Sequence, residues 1–294
     1  MKKSVIFSGV GCALITPFRD GAIDFKALKE LINIQIESGT DAIIIGGTTG
    51  ECATLSDDER YRLFSFSRAE IADRSKLIFG TGTNDTKAAV RHTMLASRIG
   101  CDGVLAVTPY YNKGTEGGIV KHYLQIAEAS TVPVLLYNVP SRTGVNLSLD
   151  ALYELSKHEN IVGIKEASDS LDRYVSIASL GDELSLYAGN DTQIFTTLSL
   201  FGKGVISVMA NLYPRAVKEI YKRYTIGDRE GSFALQLRAI PLINALFKET
   251  NPAPIKYALE KVGLCSGELR LPLAEVTAAT KALVDARMSE FERA

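Results

Sequence analysis

Metal-binding side chains are scarce in this chain of 294 residues. It has three histidines, His92, His122 and His158, all in segments with helical spacing. That argues against a metal-dependent hydrolase. No serine–histidine pair stands out among the strand ends either. The four cysteines, Cys12, Cys52, Cys101 and Cys265, lie far apart and form no C-x-x-C pair. Zinc binding and a disulfide framework are therefore disfavoured, which leaves reduced thiols used for packing. Cys52 stands out only because its segment is rich in glycine. An excess of one charge is also missing. Basic residues number 33 and acidic residues 34, for a net charge of −1. This is not the footprint of a nucleic-acid binder. No apolar run reaches the ~18 residues of a membrane helix. The opening "MKKSVIFSGVGCALITPF" places two lysines ahead of apolar residues, as an export signal does. Gly9, Gly11, Pro17 and Arg19 interrupt it, however, and no cleavage-site pattern follows. The segment reads as the first strand of a cytoplasmic protein.

Short, mostly continuous apolar runs recur along the chain, at 12–18, 42–49, 76–82, 103–109, 132–139, 161–167, 184–189 and 204–210. Such runs suit parallel strands buried on both faces. Amphipathic segments separate them. "DFKALKELINIQIES" opens on Asp24, and "SLDALYELSKH" opens on Ser148. "SDDERYRLFSFSRAEIA" opens on Ser56 with Glu59 three residues later, a capping-box pattern. Eight alternating units predict a closed (β/α)8 TIM barrel. An open doubly wound sheet is the alternative, but no G-x-G-x-x-G opens a helix after the first strand. Three more helical segments follow the last strand, beginning at Arg229, Pro252 and Leu273. The expected organisation is a catalytic barrel over 1–225 and a C-terminal helical extension over 226–294.

In such a barrel, chemistry belongs at the C-terminal ends of the strands. Those ends carry Thr16, Thr48 and Thr49, Thr83 and Asn84, Thr108, Tyr110 and Tyr111. Further on come Tyr137, Asn138 and Arg142, then Lys165 and Glu166, Gly189 to Asp191, and Asn211. The set is rich in hydroxyls and poor in metal ligands. Lys165, in "NIVGIKEAS", follows an apolar strand. Burial there would lower its pKa and leave an amine able to form a Schiff base with a ketone. A lysine that merely snorkels to water is the other reading. Tyr137, Tyr111 and Thr49 could relay the protons such chemistry moves, or simply be satisfied packing residues. "GGTTGE" (46–51) either permits a tight turn or offers N–H and hydroxyl donors to a small anion.

Taken together, "GGTTGE", "TPYYNK", "YNVPSRTG", "GIKEAS" and "GVISVMAN" make the chain similar to the pyruvate-dependent class I aldolases of the N-acetylneuraminate lyase and dihydrodipicolinate synthase superfamily. It resembles the dihydrodipicolinate synthase family most, over essentially its whole length. The resemblance implies a lyase of lysine and diaminopimelate biosynthesis that condenses pyruvate with L-aspartate 4-semialdehyde. It needs no cofactor or metal, because the covalent intermediate forms on Lys165. Tyr137 would move protons, and Thr49 would link it to Tyr111, which would reach a neighbouring site in a homodimer or homotetramer. Thr48 and Thr49 would hold the pyruvate carboxylate, Arg142 the semialdehyde carboxylate, and Gly189 and Ile206 would line the pocket. Neither nucleic acid nor membrane is an expected partner. The main alternative is a sibling such as N-acetylneuraminate lyase or a keto-deoxy sugar acid aldolase. Two departures from the family pattern stand out. Gly114 follows "YYNK" where proline is frequent. Asp57, Arg60 and Ala88 replace the histidine pair and glutamate of lysine-inhibited members, so lysine inhibition is expected to be weak or absent.

Overall fold

A computed structural model of the chain describes residues 3–293. Met1 and Lys2, which open the segment expected to form the first strand, lie outside the described residues. That strand, β1, runs Gly9–Ala13 rather than 12–18. Beyond it the backbone turns along the barrel rim, where Asn211 Oδ1 accepts from Ile15 N at 3.0 Å. A short antiparallel hairpin follows, β2 (Phe18–Arg19) with β3 (Ala22–Ile23), which the apolar pattern did not announce. The remaining strands are β4 (Ala42–Ile45), β5 (Lys76–Gly80), β6 (Gly103–Val107), β7 (Val134–Asn138), β8 (Ile161–Glu166), β9 (Ser185–Ala188) and β10 (Gly204–Ser207). β1 and β4 to β10 are all parallel and close into a barrel, with β1 paired to both β10 and β4. This is the TIM-barrel fold.

The helices α1 (Phe25–Glu37), α2 (Asp57–Ile71), α3 (Thr86–Ile99), α4 (Glu116–Ala129), α5 (Pro140–Thr143), α6 (Leu149–Ser156), α7 (Leu171–Ala178), α8 (Ile194–Ser199) and α9 (Pro214–Thr225) lie between and after the strands. Local chemistry sets their starts. Asp24 accepts from Lys26 N and Ala27 N to cap α1. Ser56 and Glu59 form a reciprocal capping box on α2. After the barrel come α10 (Arg229–Leu246), α11 (Ala253–Lys261) and α12 (Ala278–Arg293). α12 begins at Ala278, not Leu273. Thr277 caps it by accepting from Thr280 N, and Glu249 holds the Thr277 N–H and hydroxyl at 3.0 and 2.7 Å.

Strand alternation divides the core in two. Outward residues such as Leu136, Ile164 and Val205 pack on the helices. Inward residues such as Ile44, Ile78, Leu105 and Leu135 fill the barrel. Its N-terminal end is plugged by Phe7, stacked on Tyr187 at 4.6 Å between ring centres, with the Tyr187 hydroxyl donating to Phe7 O at 2.6 Å.

Candidate active site

A cavity of about 600 Å³ opens at the C-terminal ends of the strands. Its wall includes Thr49, Tyr137, Arg142, Lys165, Gly189 and Asp191. Tyr137 and Lys165 are Cα partners on β7 and β8. Both occupy inward positions, so their side chains meet inside the barrel, with Lys165 Nζ 4.4 Å from the centre of the Tyr137 ring. The next residues, Asn138 and Glu166, point outward and lock the two strands together. Asn138 Nδ2 donates to both Glu166 oxygens at 3.0 Å, and Arg173 Nε adds a 2.9 Å ion pair. A two-residue period thus places chemistry on one face and its support on the other.

Lys165 is 5% exposed. Desolvation brings its pKa down from 10.5 to about 8; the Asp191 carboxylate opposes the shift and the Arg142 guanidinium adds to it. A useful fraction of free amine is then present near neutral pH, roughly one molecule in ten at pH 7. Burial raises the pKa of Tyr137, moderated by Arg142 and by a hydrogen bond with Thr48. The phenol stays protonated and available as a proton donor. Asp191 is buried, and desolvation raises its carboxyl pKa. Its Oδ2 accepts from Val208 N at 2.9 Å and Met209 N at 3.1 Å. It therefore ties the β10 exit to the cavity while facing Lys165.

The turn carrying Thr48 and Thr49 is pressed against the barrel. Gly46 has φ +68°, and a Cβ on Gly80 would come within 2.3 Å of Gly46 O. The turn's own bonds run from Gly50 N to Gly47 O and from Glu51 N to Thr48 O. Among the described residues, this leaves the N–H groups of Thr48 and Thr49 free to meet an anion. The two threonines are not equivalent. The hydroxyl beside Tyr137 is that of Thr48. Thr49 Oγ1 instead accepts from Asn251 Nδ2 at 3.0 Å. Thr49 was expected to link to Tyr137; adjacent residues of a turn point apart, and here the Thr49 hydroxyl is engaged by Asn251 while Thr48 is the neighbour that moderates the phenol.

Other expected residues divide similarly. Gly189 lines the cavity, and a Cβ there would stand 2.6 Å from the Ala167 Cβ, so close strand packing also demands glycine. Ile206 is fully buried in the barrel-interior cluster, and Val208 forms the cavity wall above it. Tyr111 has φ +72° and is 88% exposed, apart from the cavity. Burial raises the Cys52 thiol pKa, so it is a poor nucleophile. No cluster of metal-ligating side chains occurs among the described residues. Asn251, unremarkable in the sequence, lines the cavity from the segment between α10 and α11.

A TIM barrel with a desolvated lysine facing a tyrosine inside its open end has the make-up of a class I aldolase. The comparisons narrow that class. The model of the dihydrodipicolinate synthetase family matches residues 6–290, and the chain belongs to that family. It is 46% identical over 272 residues to a 4-hydroxy-tetrahydrodipicolinate synthase of Clostridium novyi (strain NT), covering 92% of each chain. Among solved structures, the 4-hydroxy-tetrahydrodipicolinate synthase of Methylacidiphilum fumariolicum SolV superposes with a TM-score of 0.95 at 40% identity, covering 98% of this chain and 96% of that one. The chloride-inhibited dihydrodipicolinate synthase of Acinetobacter baumannii, complexed with pyruvate, superposes at 0.94 with 38% identity, covering 97% and 99%.

Proposed function

We propose that this chain condenses pyruvate with L-aspartate 4-semialdehyde to give 4-hydroxy-tetrahydrodipicolinate, in lysine and diaminopimelate biosynthesis in the cytoplasm. The observation that carries the reading is the buried amine of Lys165, in register with Tyr137 at the floor of the cavity. Lys165 attacks the keto carbon of pyruvate, and the carbinolamine loses water to give an iminium. Loss of a methyl proton makes the enamine, whose carbon bonds to the aldehyde carbon of the second substrate. The α-amine of that substrate then attacks the iminium carbon, and the bond to Lys165 breaks to free the enzyme. Lysine itself activates the carbonyl, so the chemistry calls for no cofactor.

Tyr137 carries protons to and from the carbinolamine oxygen, with Thr48 orienting its hydroxyl. The turn at Thr48 and Thr49 receives the pyruvate carboxylate. Arg142, at the cavity mouth, receives the carboxylate of the semialdehyde through its guanidinium fork. Gly189 leaves room beside the lysine, and Ile206 supports the floor beneath it. Tyr111, exposed on its own subunit, completes the relay in a neighbouring subunit of a homodimer or homotetramer.

The test is direct. Incubation with pyruvate, borohydride reduction and peptide mapping should place the adduct on Lys165. Turnover should follow with aspartate semialdehyde and not with sialic acid. An unmodified Lys165 would overturn the reading, and turnover of sialic acid alone would move it to the sibling lyases.

A further inference from the structure

We propose that Asn251 is a positioning residue that prepares Thr49 to bind the pyruvate carboxylate and, through its backbone, holds Arg142. The inference rests on the substrate reading above and names a part of the site outside the barrel. Asn251 is 5% exposed and lines the cavity. Its Nδ2 donates to Thr49 Oγ1 at 3.0 Å, and its carbonyl oxygen accepts from Arg142 Nη2 at 3.0 Å. One residue thus touches both carboxylate-binding groups, by its side chain on one side and its backbone on the other.

The donor–acceptor logic is specific. A threonine hydroxyl has one proton and two lone pairs. With a lone pair occupied by the amide N–H, the Thr49 proton is free for an incoming anion, and the amide dipole polarises it in that direction. The same turn is held a second time from the extension. Lys256 on α11 forms a fully buried ion pair with Glu51, two residues after Thr49. Arg270 N donates to the other Glu51 oxygen at 3.0 Å. The extension therefore works as a clamp on the anion-binding turn, and Asn251 is the point where the clamp reaches the substrate.

The test compares Asn251→Ala and Asn251→Asp with wild type, using borohydride trapping at graded pyruvate and steady-state KM for both substrates. Asn251→Ala should raise the pyruvate concentration for half-maximal trapping about tenfold, the loss expected for one hydrogen bond. Asn251→Asp removes the donor, captures the Thr49 proton and adds a like charge, so it should raise it roughly a hundredfold. Both retain the backbone carbonyl, so KM for aspartate semialdehyde should stay within about twofold. In a Thr49→Val background the effect of Asn251→Ala should vanish. A general loosening of the fold would instead raise both KM values together and persist without the Thr49 hydroxyl, and that result overturns the role. So does trapping that is indifferent to both variants. Asn251→Asp keeps the side-chain shape and carries the test if the alanine variant does not fold. Failure of wild type to form any Lys165 adduct overturns the substrate reading, and this inference with it. A normal wild-type adduct with unmoved variants overturns the positioning role alone.

Discussion

Tyr137 and Lys165 are Cα partners on adjacent parallel strands, and the lysine amine lies 4.4 Å from the tyrosine ring centre. The tyrosine ring is therefore the neighbour of any adduct formed on the lysine amine. Replacing Tyr137 with Phe keeps the packing and removes the proposed proton carrier. Schiff-base formation should slow by about 10²-fold or more, measured by rapid quench with borohydride. A rate equal to wild type would remove Tyr137 from the relay.

Arg142 lies at the cavity mouth, anchored by Asn251 O. Arg142→Ala should leave pyruvate trapping largely intact and raise KM for aspartate semialdehyde about 10- to 100-fold, the range for a lost charge-assisted bond. Arg142 also lowers the Lys165 pKa. The acid limb of the pH profile for trapping should therefore move to higher pH in the variant. An acid limb that stays in place would show that the two cations do not feel each other.

The desolvated Lys165 also costs stability. Its pKa is about 8 folded against an ordinary 10.5. Between those values the unfolded chain binds more protons, so stability rises with pH through that window. Lys165→Met removes the group. At pH 7 it should be more stable than wild type by about 3 kcal/mol, and that gap should close as pH rises towards 10.5. Chemical denaturation of both proteins across that range checks the sign. A gap that does not change with pH would contradict it.

The buried pair of Lys256 and Glu51 joins α11 to the turn that carries Thr48 and Thr49. Glu51→Gln leaves a buried ammonium without its counter-charge and should cost about 3–5 kcal/mol. Adding Lys256→Met should recover much of that loss. Denaturant midpoints of the three variants decide it, and a double variant no better than Glu51→Gln alone would sink the account.

Arg60 is buried, with its guanidinium donating to Gly80 O at 3.2 Å and Cys52 O at 3.0 Å. Asp57 is engaged by His92 at 2.9 Å and Arg91 at 3.2 Å, and position 88 is an alanine. At these positions a cationic amino acid would meet a cation, and the Asp57 carboxylate is already engaged. Steady-state activity should be unchanged by submillimolar lysine, and strong inhibition at that level would overturn the expectation.

The chain's own order of residues was enough to determine the barrel and to mark Tyr137 and Lys165 at its strand ends. Apolar runs of strand length alternating with capped helices admit few architectures. Within each strand the two-residue period puts Tyr137 and Lys165 on inward positions, and the pairing of β7 with β8 brings them level. The runs, caps and strand period are local, and local sterics and hydrogen bonding carry them. Which hydroxyl meets Tyr137 is another matter. Thr48 and Thr49 are neighbours of the same type, and only the packing of their turn on Gly80 separates a phenol contact from an Asn251 contact. The start of α12 at Ala278 likewise depends on Glu249, far away in sequence, holding Thr277. Asn251 is the clearest case. Nothing in its neighbourhood marks it, because its partners Thr49 and Arg142 lie 202 and 109 residues away. Such contacts exist only after the extension has folded back over the barrel mouth, so tertiary packing alone decided them.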